Sequence, residues 1–416
     1  MNDNNLIINR AEKKLTKIFD ELEIIRNLNQ EKVLNAFQDN KIGEEHFYSV
    51  SGYGHDDMGR EAIDKVYAQT FNCEAAIVRN HFVSGTHAIA CALFGNLRHG
   101  DKLISIAGAP YDTLEEVIGT RGNLRASLKG HGIKYEEIPL INDNTEIDID
   151  AIANVIDENT TMVTIQRSRG YSLRKPIDIE IMAEIIKAVK SANPHCICFV
   201  DNCYGEFTEA FEPTDVGADL MAGSLIKNPG GGIVEAGGYI AGKKEYVEQS
   251  AMRLTAPGIG SKGGAMLNQS RLILQGFFMA PSIVFEALKG SILASQIFTD
   301  LGYKTTPKPD DVRTDIIQAI QLDSPDNLIK FCKAVQLNSP VNAYLTPIPD
   351  EVPGYENKII MAGGTFIEGS TIELSADGPL RPPYTAYLQG GLNYAHVRIA
   401  LKSMLNQIKA NEPSTY

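Results

Sequence analysis

Between Ala11 and Asn40, charged residues alternate with Leu, Ile and Phe at helical period, which predicts one or two amphipathic helices. An irregular segment follows from Phe47 to Arg60, because the run Ser-Gly-Tyr-Gly-His-Asp-Asp-Met-Gly-Arg holds too many turn-forming residues for regular structure. Beyond it the pattern switches between two periods. Ile63, Val66, Tyr67 and Phe71 recur at helical spacing over 61–71, and Ala75 to Val78 reads as a strand. The loop Val83-Ser84-Gly85-Thr86-His87 opens a helix rich in Ala and Leu over 88–97. Strands at 102–107, 135–139 and 162–166 alternate with helices at 114–119, 149–157 and 179–192. Cys196 to Val200 reads as a short buried strand with Asp201 at its carboxyl end, Leu220 to Leu225 is short and apolar, and Gly237 to Ala241 suits a returning strand. Such alternation predicts an α/β fold with a mostly parallel central sheet and helices on both faces.

From Gly264 to Leu301 the chain is nearly uninterrupted in apolar content and helical period except at Pro281, which predicts a long helix with one break or kink. The remainder mixes strands at 315–322, 358–361 and 371–375 with helices at 327–336 and 386–408. Four parts follow: an N-terminal helical arm over 1–60, an α/β domain over 61–260, a connecting helix over 261–301 and a smaller C-terminal α+β domain over 302–416.

Composition narrows the partners. The 416 residues are 43% hydrophobic and 22% charged, as in a globular protein. A formal net charge of -13 repels nucleic-acid phosphates and anionic membrane surfaces, so neither is expected as a partner. No apolar run reaches the ~20 residues needed to span a bilayer, and the polar start, Met1 to Arg10, is unlike a signal peptide, which points to the cytoplasm. Six cysteines sit mostly in apolar stretches and the eight histidines form no ligand pair at helical spacing, so no metal site is expected.

The candidate chemistry gathers at strand ends, where ligands of α/β sheets bind. The stretch Gly223 to Gly238 sets Lys227 between the Ser224 hydroxyl and a glycine run, 26 positions after Asp201. A surface loop with a solvated lysine is the alternative reading of that stretch taken alone. A lysine that forms a Schiff base needs a setting in which it can lose its proton. A pyridine-ring cofactor needs a carboxylate at its ring nitrogen, and Asp201 can supply one. Its phosphate needs a helix amino terminus and hydroxyls, which Ser84-Gly85-Thr86 and Ser224 offer. Tyr111, after the strand at 102–107, can cover the ring. Cys203 reads as a reactive thiol or a packing residue, and His87 as a cofactor donor or a cap-region histidine. The Gly230-Gly231-Gly232 run lacks dinucleotide-fingerprint spacing and suits close backbone approach around the lysine.

A Gly-Thr loop, an aromatic, a strand-end Asp and then Ser-x-x-Lys, in that order, resemble the fold type I pyridoxal-phosphate enzymes. More closely, Ser-Gly-Thr-His-Ala at 84–88, Pro-Tyr-Asp-Thr-Leu-Glu-Glu at 110–116, Gln-Arg-Ser-Arg-Gly-Tyr at 166–171, Asp-Asn-Cys-Tyr-Gly-Glu-Phe at 201–207 and Lys-Asn-Pro-Gly-Gly-Gly at 227–232 are similar to the aluminium-resistance, or methionine gamma-lyase-like, branch of the Cys/Met-metabolism enzymes. The resemblance covers almost the whole chain. It implies pyridoxal 5'-phosphate as cofactor, held by Lys227, which then takes the substrate α-proton. It also implies Asp201 at the pyridinium nitrogen, Tyr111 on the ring or as an acid near the leaving group, and Ser84, Gly85, Thr86 and Ser224 around the phosphate. In the wider family a tyrosine and an arginine of a neighbouring subunit complete the phosphate site. Tyr53 and Arg60 match in type and order, with ordinary loop residues as the other reading.

One departure concerns the substrate carboxylate, which the wider family grips with an arginine on a late strand. The segment Thr371-Ile372-Glu373-Leu374-Ser375, which looks equivalent, offers Glu373 instead. Arg381, Arg167 and Arg169 are the replacement candidates, and each also reads as a solvated loop arginine. The resemblance implies a carbon–sulfur lyase that eliminates a thiol from an amino acid such as cystathionine, cysteine or methionine, as a homodimer or homotetramer. Transamination, aldol cleavage and a cofactor-binding regulatory role in metal stress are the alternatives.

Overall fold

The computed structural model describes residues 3–122, 125–172, 174–351 and 357–409. A single helix, α1 (Asp3–Asp39), forms the arm. Its Ile8, Ala11, Leu15, Leu22, Val33 and Ala36 share one apolar stripe and join the main core, where α1 packs on the long helix described below. The irregular segment after it ends three residues sooner than the glycine content suggests. Helix α2 (Met58–Thr70) begins at Met58 because the Asp57 carboxylate accepts the Arg60 N–H at 3.0 Å, capping the helix in spite of Gly59.

The central sheet has seven strands: β1 (Ala75–Arg79), β2 (Lys102–Ser105), β3 (Lys134–Glu137), β4 (Thr160–Gln166), β5 (Ile197–Asp201), β6 (Leu220–Ser224) and β7 (Gly238–Gly242). Their spatial order is β1-β7-β6-β5-β4-β2-β3. The pairs from β3 through β6 are parallel, while β7 runs antiparallel to both β6 and β1. Both faces are covered. On β5, Ile197 and Phe199 face the core under helix α3 (Gly85–Asn96), and Cys198 and Val200 face the core built with α1 and α2. This burial on two sides explains why β5 and β6 read as continuous apolar runs without alternation. Helices α4 (Asp112–Ile118), α5 (Ile149–Val155), α6 (Ile179–Ala192) and α7 (Lys244–Leu254) complete the layers.

Helix α8 (Ser270–Asp300) crosses the interior. It starts later than its apolar pattern predicts, because Leu267 and Asn268 take positive φ in the turn before it. Pro281 lies inside the helix without ending it, since the neighbours Ala280, Val284 and Phe285 are buried and hold both halves in place. Over 18 residues α8 is apolar enough to cross a membrane, which corrects the expectation that no run reaches that mark. With 67% of that stretch buried in the fold, it is the core helix of the protein.

A second, antiparallel sheet follows the order β10-β11-β12-β9-β8. Its strands are β8 (Lys304–Thr306), β9 (Ile317–Gln321), β10 (Ile359–Ala362), β11 (Ser375–Pro379) and β12 (Thr385–Gln389), with helices α9 (Pro325–Leu337) and α10 (Tyr394–Lys409). Two expectations are corrected here. Residues 371–374 form a loop, because the Glu373 carboxylate accepts the Phe366 and Ile367 N–H groups at 2.8 and 3.0 Å and folds the chain back. The run expected to begin the terminal helix at Ala386 is instead strand β12. Gly390 and Gly391, at φ 74° and 133°, break the chain before α10 can start.

Candidate active site

Parallel register brings the carboxyl ends of β4, β5 and β6 side by side, with Gln166 opposite Asp201 and Asp201 opposite Ala222, two residues before Ser224. Asp201 is buried and accepts the Cys203 N–H at 3.1 Å. Burial pushes its carboxyl above the ordinary range, and the Lys227 ammonium pulls it back.

Helix α3 points its amino terminus at this edge. The Ser84 hydroxyl caps it by accepting the His87 N–H at 3.1 Å, so the Gly85 and Thr86 N–H groups stay outside the helix ladder. A side chain at Gly85 would meet Ser224 Cβ at 3.1 Å and Cys203 Sγ at 3.3 Å, so glycine is what lets helix, strand end and loop converge. Tyr111 stands before α4, and its hydroxyl shares a hydrogen bond with Thr86 Oγ1 at 2.9 Å. Gln166 fixes that loop by accepting the Tyr111 N–H at 3.0 Å. Burial, then the Asp201 charge, holds the Tyr111 hydroxyl above the usual phenol range.

Lys227 follows β6 and precedes a short 3-10 turn, Asn228–Gly230. Its Nζ lies 3.8 Å from the centroid of the Tyr204 ring, a cation–π contact between two half-buried side chains. Asn228 holds the loop that carries that ring by donating to the Tyr204 and Glu206 carbonyls, both at 3.0 Å. Burial works against the Lys227 ammonium, yet the acidic groups around it, Cys203, Tyr204, Asp201 and Tyr111, outweigh burial and raise its pKa. The glycine run acts elsewhere than expected. A Cβ at Gly231 would lie 2.4 Å from the Gly276 carbonyl oxygen, so the run admits the backbone of α8 and braces the lysine turn from behind.

The structure brings Ser84, Gly85, Thr86, Tyr111, Asp201, Ser224 and Lys227 to one edge and sorts the other candidates. Arg167 is fully buried and spent within the chain, with Glu209 at 2.7 Å, Glu212 at 3.5 Å and Asn202 at 2.8 Å. It is a structural ion pair and not a carboxylate grip. Arg169 donates to the Ser172 and Thr306 carbonyls, and its Nη2 is buried without a partner. Arg381 is exposed in the turn before β12 and, like Arg169, acts electrostatically on the Tyr387 hydroxyl. Glu373 is committed to its loop. Arg60 is 1% exposed and donates to the Gly54 and Gly264 carbonyls. Tyr53 is 83% exposed, next to His55. Arg60 still belongs to this end of the sheet, since it lies near Arg79, which ends β1 opposite Gly238, itself opposite Ser224. The Cys203 thiol is raised by burial far out of the reactive range, and His87 accepts the Val83 N–H at 3.1 Å, closing its own loop.

Sequence reasoning missed Tyr204, Gln166 and Tyr387. Tyr204 and Gln166 were within reach, being three residues after Asp201 and at a strand's carboxyl end. Tyr387 carried no signal, because its strand reads as the start of the terminal helix.

Comparison with known proteins agrees with this geometry. The family model for methionine gamma-lyase matches residues 4–409. The chain belongs to the methionine gamma-lyase family. A family relative in Bacillus subtilis, the uncharacterised protein YnbB, is 48% identical over 96% of this chain and 94% of its own. A crystal structure from Listeria innocua superposes with a TM-score of 0.96 at 48% identity, covering 98% of this chain and 100% of that one. It carries the provisional name of a cystathionine beta-lyase involved in aluminium resistance. A structure from Clostridium novyi called a carbon-sulfur lyase involved in aluminium resistance matches at TM-score 0.94 and 48% identity, over 98% and 96% of the two chains. Yeast cystathionine gamma-lyase, 16% identical at TM-score 0.59 over 85% and 86% of the chains, shares the fold, that of the fold type I pyridoxal-phosphate enzymes. The lyases of this family use pyridoxal 5'-phosphate. The edge fits that group: a half-buried lysine, a buried carboxylate and a capped helix end lie together, and the glycine at position 85 leaves room beside Ser224.

Proposed function

We propose that this chain is a pyridoxal-phosphate-dependent carbon–sulfur lyase that releases a thiol from the β or γ carbon of a sulfur-containing amino acid. The placement of the Lys227 ammonium over the Tyr204 ring, between Asp201 and the α3 terminus, carries the reading. Lys227 Nζ would hold the cofactor's aldehyde carbon, Asp201 its ring nitrogen, Tyr111 its ring face, and Gly85, Thr86 and the Ser84 and Ser224 hydroxyls its phosphate. When bound, the cofactor supplies the electron sink for the bond broken at the substrate α-carbon. The residues do the rest. Lys227, freed as an amine, takes the α-proton and returns it on the far side of the elimination. Tyr204 keeps the amine over the reacting face. Tyr111 can donate its phenolic proton to the departing sulfur, because its hydroxyl stays protonated at neutral pH.

The substrate carboxylate falls to Arg169 and Arg381, the two guanidinium groups beside Tyr387, and Arg169 brings a buried Nη2 with no other partner. Tyr53, exposed on one chain, would reach the phosphate of a second copy in a homodimer or homotetramer. The cytoplasm is the compartment this reading assumes. The test is release of ammonia and thiol from L-cystathionine, L-cysteine and L-methionine by the cofactor-loaded protein; no release from any of the three rejects the proposal.

A further inference from the structure

Two parts of the proposed reaction sit on separate loops. Tyr111, assigned to the departing sulfur, stands before α4, and Arg169, assigned to the substrate carboxylate, lies in the loop that leaves β4. One side chain touches both loops. Gln166, the last residue of β4, lies opposite Asp201 in the sheet. Its Oε1 accepts the Tyr111 N–H at 3.0 Å, and its Nε2 donates to the Ser168 carbonyl at 3.0 Å. A neutral amide does both from one plane. A carboxylate there would face the Ser168 carbonyl with a lone pair, and a hydrocarbon would bind neither loop.

Each loop is fixed at a second point. The Tyr111 hydroxyl meets Thr86 Oγ1 at 2.9 Å, so with the Gln166 bond Tyr111 is held at its backbone and at its tip. On the other side, Arg174 Nη2 donates to the Gln166 and Ser168 carbonyls, both at 2.6 Å. The Ser168 hydroxyl and the Arg169 N–H both donate to Asp315 Oδ2, at 3.0 and 3.4 Å. Arg169 spends its Nε on the Ser172 carbonyl and its Nη1 on the Thr306 carbonyl, which leaves the buried Nη2 unpaired. Asp315 and β8 thus tie the Arg169 loop to the small sheet, and Gln166 ties it to Tyr111.

We propose that Gln166 is a positioning residue that sets Tyr111 and Arg169 at a fixed separation, so that gripping the substrate carboxylate brings the leaving group to the Tyr111 hydroxyl. Reacting groups demand such precision, since a shift of about 1 Å costs on the order of a hundredfold in rate. The proposal deepens the lyase reading and rests on it for the tasks of Tyr111 and Arg169.

L-Norleucine and L-norleucinamide carry no leaving group and differ only at the carboxylate, so they report the grip without turnover. In calorimetric titration the cofactor-loaded wild-type protein should prefer the carboxylate by about tenfold or more. Gln166→Met, similar in length and unable to bond either loop, should lower that preference about fivefold. Gln166→Glu, which keeps the Tyr111 acceptor and loses the Ser168 donor, should lower it likewise. The ratio of two affinities does not depend on how much of a variant is folded, and a merely structural role would leave it unchanged. Added to Arg169→Ala, Gln166→Met should move the ratio by less than about twofold, because its effect passes through Arg169. No carboxylate preference in the wild type, an unchanged ratio in both Gln166 variants, or a full loss on top of Arg169→Ala overturns the proposal. In the wild type alone, amide hydrogen exchange at Tyr111 and over residues 167–172 should slow together with L-norleucine and not with its amide; slowing over 167–172 alone also overturns it. Thiol release from L-cystathionine, L-cysteine or L-methionine separates the two readings. If thiol is released while the ratio stays unchanged in the variants, the positioning role alone fails. If none is released, the lyase reading fails, and the ratio still decides whether Gln166 sets Arg169.

Discussion

Half-buried Lys227 and fully buried Glu206 are ionisable residues near one another, and their surroundings drive them towards different tasks. The neighbours of Lys227, Asp201 among them, hold its proton, so on the proposed function pairing of Asp201 with a cationic ring nitrogen would ease release of that proton. Lys227→Ala is therefore expected to lose covalent attachment of the cofactor, read as the absence of a cofactor mass adduct after borohydride reduction. Lyase activity should fall by about a thousandfold or more. Glu206 accepts the Tyr239 hydroxyl at 2.8 Å on Oε1, while Oε2 is buried without a partner, and burial pushes the carboxyl up to about 8. The folded chain thus holds a proton that the unfolded chain releases above its ordinary pKa of 4.5, so this group weakens the fold as pH rises from 4.5 to about 8. Glu206→Gln keeps the acceptor and removes the charge. Relative to wild type it should gain on the order of 3 kcal/mol between pH 5 and pH 8 in chemical denaturation; a pH-independent difference would contradict this. Arg167 illustrates a third case. Arg167→Ala would strand the Glu209 and Glu212 carboxylates and cost about 3–5 kcal/mol of stability, measured as a lower denaturation midpoint.

At the scale of elements, the site depends on how closely backbones can approach. Gly231 sits at φ 56° with the Gly276 carbonyl in the space a side chain would need. Gly231→Ala is expected to push the lysine turn away from α8. Thermal stability should fall by roughly 2 kcal/mol or more, and borohydride trapping of the cofactor should weaken with it; an unchanged melting curve would show that the turn yields freely. The glycine run was legible in the sequence as a close approach, but not what approached. The same distinction holds at β12. Its residues carry no helix-breaking signal before Gly390, and only pairing with β9 and β11 makes them a strand.

For the whole molecule, the arm α1 and the core helix α8 join the two sheets, and an apolar cluster of Tyr387, Tyr171 and Tyr204 bridges them. Tyr53 is 83% exposed, and on the proposed function it would serve the site of a second copy. A mixture of Tyr53→Ala and Lys227→Ala chains, each inactive alone, should recover about a quarter of wild-type activity if Tyr53 serves the neighbour's site, since one mixed-dimer site in two then carries both intact residues. Recovery near zero would place Tyr53 in its own chain's site.

The chain order of Thr86, Tyr111, Asp201, Ser224 and Lys227 was set by local signals: strand ends, a capping serine and a turn of glycines. Each of these acts within a few residues, so the sequence alone determined the α/β core and the candidate edge that carries Lys227. The partner of each arginine was decided only in three dimensions, because Arg167, Arg169 and Arg381 look alike until Glu209, Tyr387 and the small sheet come from far along the chain to meet or miss them. Tertiary packing likewise decided that Glu373 closes a loop. Burial and charge pairing depend on neighbours that sequence spacing does not specify.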